Sequence, residues 1–283
     1  MIRKILEYVT ALKRLDPAQK RADKLRKINI RLENQLSILI SKDSLPPHLL
    51  DQFYLDRQTS DYQAPYLKRE PLVSVCITTY NRGELLVERS LRSILSQTYK
   101  NIQLIVIGDC CTDNSEKLIS KISDSRLYFE NLSERGDYPA DSKLRWMVAG
   151  TKPINRCLEL AEGDFITHLD DDDEHLPERL EKLLPFIKET KADLVWHPFY
   201  REKSNQEWGV NQSEEFGSGM VTTSSVLYHR WFKRIPWDPE AYRYHQPGDW
   251  NRFSKFLYLN ANLRRHPGIL LRHFKEKNQK VAS

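Results

Sequence analysis

Five consecutive acids, Asp170 to Glu174, stand directly behind the apolar, strand-like stretch 164–169. Side chains two apart on an extended segment point the same way, so Asp170 and Asp172 share one face while Asp171 and Asp173 share the other. The result is an all-oxygen clamp of the kind a hard divalent cation takes, with Mg2+ or Mn2+ the natural guest. The run also has a plainer reading as solvated charge ahead of a helix, because Pro177 and the pattern from Glu178 to Leu184 open a helix just downstream. The histidines show no zinc-type spacing. Cys76, Cys110, Cys111 and Cys157 show no Cys-x-x-Cys spacing and are expected as reduced, packed thiols.

Residues 72–79, 102–107, 127–129 and 165–169 read as strands, with helices over 85–96 and 154–161 between them. Asp113-Asn114-Ser115-Glu116 carries the capping chemistry of a further helix start. This alternation is the pattern of a parallel α/β sheet, and in such sheets ligands bind at the carboxyl ends of the strands. Here those ends carry Thr79-Tyr80-Asn81-Arg82, Gly108-Asp109-Cys110 and the acid run. A lone Asp at one strand end and an acid cluster at another, flanking one crevice, make a nucleotide with a metal-bridged diphosphate the simplest ligand. A dinucleotide is disfavoured, since no Gly-x-Gly-x-x-Gly follows the first strand, and no Gly-Lys-Ser/Thr phosphate loop occurs.

An apolar share of 40% over 283 residues is enough for the core of one large domain or two modest ones. The net charge of +5 is unevenly spread: residues 1–42 hold eleven Lys/Arg against four Asp/Glu, so this arm carries +7 and the remainder −2. The arm reads as amphipathic helix, broken in two at Asp16-Pro17. It can pack on the body, self-associate, or lay a basic face on anionic lipid. A nucleic-acid partner is not expected, because Tyr8 is its single aromatic and base stacking needs several. Residues 43–70, rich in Pro, Asp and Gln, read as linker. No stretch approaches the roughly 18 apolar residues of a membrane span, and the start lacks a signal-peptide core. The expectation is a cytoplasmic chain with peripheral contact at the inner face of the membrane through the arm.

Four blocks occur in order: Pro71 to Arg82, Ile105 to Ser115, Asn155 to Ile166, and the acid run with Pro177 and Leu180. Together they resemble the family 2 inverting glycosyltransferases, strongly over about residues 71–195. The resemblance implies a GT-A fold, a Rossmann-like and mostly parallel α/β sheet flanked by helices, behind the helical arm. Residues 71–195 would be its nucleotide-sugar-binding half and 196–283 its acceptor-binding half. The implied activity is a metal-dependent transfer of sugar from a UDP- or dTDP-sugar to a hydroxyl of a glycan or lipid-linked acceptor. Thr78, Tyr80, Asp109, Asn155, Asp170 and Asp171 are the implied donor-binding residues, Asp109 accepting a hydrogen bond from a uracil or thymine base. For Mn2+ or Mg2+, Asp172 is the first choice of ligand and Asp170 shares the contact.

An inverting transfer is a single displacement, so a carboxylate must take the acceptor proton on the face opposite the leaving group. Asp249, followed by Trp250 and a helix-like segment, matches the family's base and is equally placed to cap that helix. His273 resembles a late-chain metal ligand of some GT-A enzymes and is not counted in the metal set. The chain departs from the family pattern at Gly108, where an acid is common, at Cys110, where Gly or Asn is usual, and at Ile154, where Arg often stands. Lys152, Arg156, or Lys143 and Arg145 of the inserted stretch 135–151 are the candidates to hold the diphosphate instead. These departures keep a non-catalytic nucleotide-sugar-binding protein in view. A sugar-phosphate nucleotidyltransferase also pairs such a sheet with acids and Mg2+, but its Gly-rich first loop is missing here.

Overall fold

A computed structural model describes residues 17–203 and 207–275. Helix α1 (Pro17–Ser44) opens on a proline, tolerated there because the first N–H of a helix has no intrahelical partner; the helix expected before it lies outside the described residues. Two short helices follow, α2 (Leu49–Asp56) and α3 (Ser60–Leu67). Residues 43–70 are therefore not the expected linker. Phe53, Tyr62 and Tyr66 are all buried; the Phe53 ring lies 4.8 Å from that of Trp231, and the Tyr62 hydroxyl donates to Asp193 Oδ1 at 2.6 Å. A few rings bury as much area as a longer aliphatic stripe, which is why the segment shows so little periodicity.

The chain continues through β1 (Val73–Thr79), a helical segment α4 (83–95, π-type over Leu86–Leu91), β2 (Ile102–Gly108), α5 (Ser115–Ile119) and β3 (Leu127–Asn131). Next come α6 (Ser142–Val148), α7 (Thr151–Leu160), β4 (Phe165–Asp170), β5 (Glu174–His175) and α8 (Arg179–Thr190). The last third holds β6 (Leu194–Trp196), β7 (Phe199–Glu202), β8 (Trp208–Asn211), β9 (Val226–His229), α9 (Gly248–Tyr258), β10 (Leu263–Arg265) and β11 (Leu271–His273).

The main sheet has the order β10-β6-β9-β4-β1-β2-β3; β9 is antiparallel to both neighbours and every other pair is parallel. The apolar runs of β1 and β2 are buried on both faces, as helices covering a parallel sheet require. Register then sets the site: Thr78 pairs with Asp170 and Thr79 with Gly108, so three strand ends share one edge. A smaller sheet, β5-β11-β7-β8, lies beyond the acid run and pairs Arg272 with Glu174 and Leu271 with His175.

Helix α1 packs on α9. Ser37 Oγ accepts from Trp250 Nε1 at 3.0 Å and Gln246 Nε2 at 2.8 Å, and Ser41 Oγ meets Ser254 Oγ at 3.3 Å. Its opposite face leaves Leu25, Ile28, Leu32, Leu36 and Leu39 between 41% and 63% exposed.

Candidate active site

Strand β4 stops at Asp170, and the chain turns so that the Asp173 N–H donates to the Asp170 carbonyl at 3.1 Å. The alternation of an extended segment ends there. Asp173, rather than Asp172, comes next to Asp170, and β11 brings His273 to the same place. Asp170, Asp173 and His273 offer ligand atoms that all lie within 4.8 Å of one another. His273 Nδ1 is 2.9 Å from Asp173 Oδ2, and the Phe274 N–H donates to Asp173 Oδ1 at 3.0 Å.

Burial and the charges of Asp173 and Asp172 push the Asp170 carboxyl well above the usual carboxylate range. Desolvation alone would lower the His273 imidazole, but the Asp173 hydrogen bond and the charges of Asp173, Asp170 and Asp172 raise it to about 9. Oxygen ligands and one imidazole crowded this closely fit Mn2+ or Mg2+, since a dication offsets the burial and the like charges that push the Asp170 carboxyl up. Asp172 is near enough for its charge to act on both groups.

Asp171 points back into the fold, accepting from Thr79 Oγ1 at 2.7 Å and Arg82 Nη1 at 3.1 Å; the same Arg82 nitrogen lies 3.1 Å from Asp172 Oδ2. Arg89 Nη1 donates to the Asp172 carbonyl at 2.6 Å, and its guanidinium stacks 3.6 Å over the Phe274 ring centroid. Arg82 and Arg89 thus bring positive charge to Asp171 and Asp172, and Arg272 Nη1 lies 3.2 Å from Glu174 Oε2; none of the three was a candidate from the sequence. Lys152 and Arg156 are engaged elsewhere, with the Glu134 carbonyl and with Glu130 and Glu159. The signal available for Arg82 was its place three residues past the end of β1, facing an acid run.

Asp109, 3% exposed at the end of β2, accepts from the Gly136 N–H at 3.1 Å and the Tyr138 hydroxyl at 2.9 Å. Tyr80 is 39% exposed and carries the Arg135 guanidinium 3.6 Å above its ring. Thr78 Oγ1 faces Gly150, where an added Cβ would lie 3.5 Å away. Asn155 is turned to another use: its amide clamps the Trp237 backbone, Nδ2 donating to the carbonyl at 2.9 Å and Oδ1 accepting from the N–H at 2.8 Å. Two of the departures gain reasons. Cys110 has φ 59, a left-handed conformation that Gly and Asn adopt more easily. At Gly108 a Cβ would stand 2.5 Å from Asn131 Oδ1, and that amide holds both the N–H and the carbonyl of Cys111.

Asp249 lies inside the first turn of α9, whose N-cap is Pro247, so it does not cap that helix through the expected geometry. Its Oδ1 accepts from the Trp250 N–H at 2.7 Å. Loss of water pushes the carboxyl up to about 6, against backbone hydrogen bonds and the charge of His273.

A mostly parallel sheet flanked by helices, with acids gathered at its strand ends, is an α/β architecture of the GT-A type. Residues 74–245, more than half the chain, match the model of Glycosyl transferase family 2, and the chain belongs to that family. Its fold is shared with S. aureus TarS 1-349, solved in complex with UDP-GlcNAc, at a TM-score of 0.58 and 21% identity over 75% of this chain and 60% of that one. Among curated relatives, the Escherichia coli UDP-Glc:alpha-D-GlcNAc-diphosphoundecaprenol beta-1,3-glucosyltransferase WfaP is 32% identical over 142 residues, 50% of this chain and 51% of its own. The Campylobacter jejuni GalNAc(5)-diNAcBac-PP-undecaprenol beta-1,3-glucosyltransferase is 28% identical over 157 residues, 55% of this chain and 46% of its own. The chain spans about half the length of these two relatives.

Proposed function

We propose that the protein is a metal-dependent inverting glycosyltransferase that moves a sugar from a UDP- or dTDP-sugar to a hydroxyl of a glycan or lipid-linked acceptor. The observation that carries this reading is the cluster of Asp170, Asp173 and His273 at the strand ends of a chain that belongs to Glycosyl transferase family 2. Thr78 and Tyr80 flank the base and Asp109 accepts its N–H. Asp170, Asp172, Asp173 and His273 hold Mn2+ or Mg2+, which, when bound, neutralises charge growing on the departing diphosphate. Asp249 accepts the acceptor hydroxyl proton as the new bond forms at the anomeric carbon and the bond to diphosphate breaks. Asn155 and Asp171, whose polar atoms are taken by protein partners, position the site rather than touch the donor.

The two relatives named above have acceptors carried on diphosphoundecaprenol and PP-undecaprenol, which supports a lipid-linked glycan here. Incubation with a panel of nucleotide sugars and Mn2+ tests the reading: slow release of UDP or dTDP from one of them is expected. Consumption of a nucleoside triphosphate with a sugar phosphate would instead indicate a nucleotidyltransferase, and binding without any release a non-catalytic protein.

We also assign the outward face of α1 to the inner surface of a membrane. Its apolar stripe is flanked by exposed Lys24, Arg31 and Lys42, the arrangement of a helix that lies in the interface. Among the described residues no helix is long and apolar enough to cross a bilayer. The double substitution Leu32→Asp and Leu36→Asp, on the face turned away from the body, should cut co-sedimentation with anionic vesicles at least tenfold. Equal sedimentation of both proteins would remove the membrane assignment.

A further inference from the structure

We propose that Arg135 occupies the place of the nucleobase and must leave it for the donor to enter, making residues 132–150 a strap that gates the base site. The inference rests on the donor reading above. Tyr80 presents an exposed ring at the strand ends, and the planar Arg135 guanidinium lies on it at 3.6 Å. Its Nε stands 3.7 Å from Asp109 Oδ2. A pyrimidine base makes the same pair of contacts, a flat face on the tyrosine and a ring N–H toward the carboxylate. Both occupants cannot be present, because a stack at 3.6 Å leaves no room for a ring between the two planes.

The strap is fastened where a gate needs to be. The Gly136 N–H and the Tyr138 hydroxyl bind the two oxygens of Asp109, and the same hydroxyl accepts from the Gly150 N–H at 3.1 Å. Gly150 has φ +82 and so supplies a pivot at the far end of the strap that other residues adopt with strain. Between these points α6 packs lightly, with Trp146 exposed. A closed strap lowers apparent donor affinity by the fraction of molecules that are open. Arg135 is thus a built-in competitor for the base and not for the diphosphate.

The sign of one substitution tests this. Taking a positive charge from beside an anionic ligand should, by Coulomb's law alone, weaken binding; removing a competitor should tighten it. Calorimetric titration of the full chain with UDP in Mn2+ is expected to show Arg135→Ala binding about 3- to 10-fold more tightly than wild type. Arg135→Lys, which keeps the charge and loses the plane, should tighten by a smaller factor. Inorganic pyrophosphate, lacking a base, should bind all three proteins equally. UDP binding that is unchanged or weaker in both variants, or a gain shared by pyrophosphate, overturns the proposal while leaving the donor reading intact. If neither UDP nor dTDP binds any of the three proteins, the donor reading falls and this inference falls with it.

Discussion

Asp249→Asn is expected to lower turnover by at least about 100-fold, the smaller end of what a positioned general base contributes, while UDP affinity changes by less than about twofold. The amide keeps the shape of the carboxylate and can still accept from the Trp250 N–H; it cannot take a proton from the acceptor. The carboxyl, pushed up to about 6 by desolvation, also fixes the pH profile. Its ionised form is the active one, so activity should be level above about pH 7 and fall about tenfold per unit well below pH 6. A bound dication nearby favours the carboxylate and moves this limb lower. Stability runs the other way. The folded value is raised above the unfolded one, so the contribution to stability is full below the ordinary carboxylate range and is lost as pH rises through about 6. The metal-free variant should therefore melt higher than wild type at pH 8, an instance of a site held at the expense of stability. Turnover by the variant within tenfold of wild type would remove Asp249 from the base role.

The second large effect belongs to the acid cluster. Asp170→Asn, Asp172→Ala and His273→Gln should each weaken Mn2+-dependent UDP binding by about 10- to 100-fold or more, the scale seen when even supporting groups of a metal site are lost. In metal-free protein the sign reverses for Asp170→Asn. Its carboxyl is forced well above the usual range by burial and by Asp173 and Asp172, so neutralising it removes repulsion and should raise Tm. A variant that lost UDP binding and melted lower would point to a structural role instead.

The parts of this fold that repeat with a clear period were legible in the chain: β1, β2, β3 and β4, the helix α7 ahead of β4, and the strand ends that carry Thr78, Asp109 and Asp170. Asp249 enters as the candidate base through its neighbour Trp250 and its place in the order of blocks. His273 was not firmly so, because it reaches Asp173 through strands of two and three residues, too short for any periodicity to show. The Asp170 and Asp172 pairing assumed that β4 ran on through the acid run, whereas a turn after Asp170 rotates Asp173 into the cluster. Residues 43–70 misled because three aromatic anchors, not a stripe, hold them to the body. The inserted stretch was expected to reach over the site with Lys143 and Arg145; its contacts are made by Arg135, Gly136 and Tyr138, side by side at the other end.

In the proposed function Asp170, Asp172, Asp173 and His273 act through one cation on one nucleotide diphosphate. Titration of wild-type protein with UDP, first with Mn2+ and then with EDTA, tests it directly. Saturable binding of one UDP per chain that disappears with EDTA and returns with excess Mn2+ is the predicted result. Binding that EDTA leaves unchanged, or no binding with Mn2+ present, would contradict it.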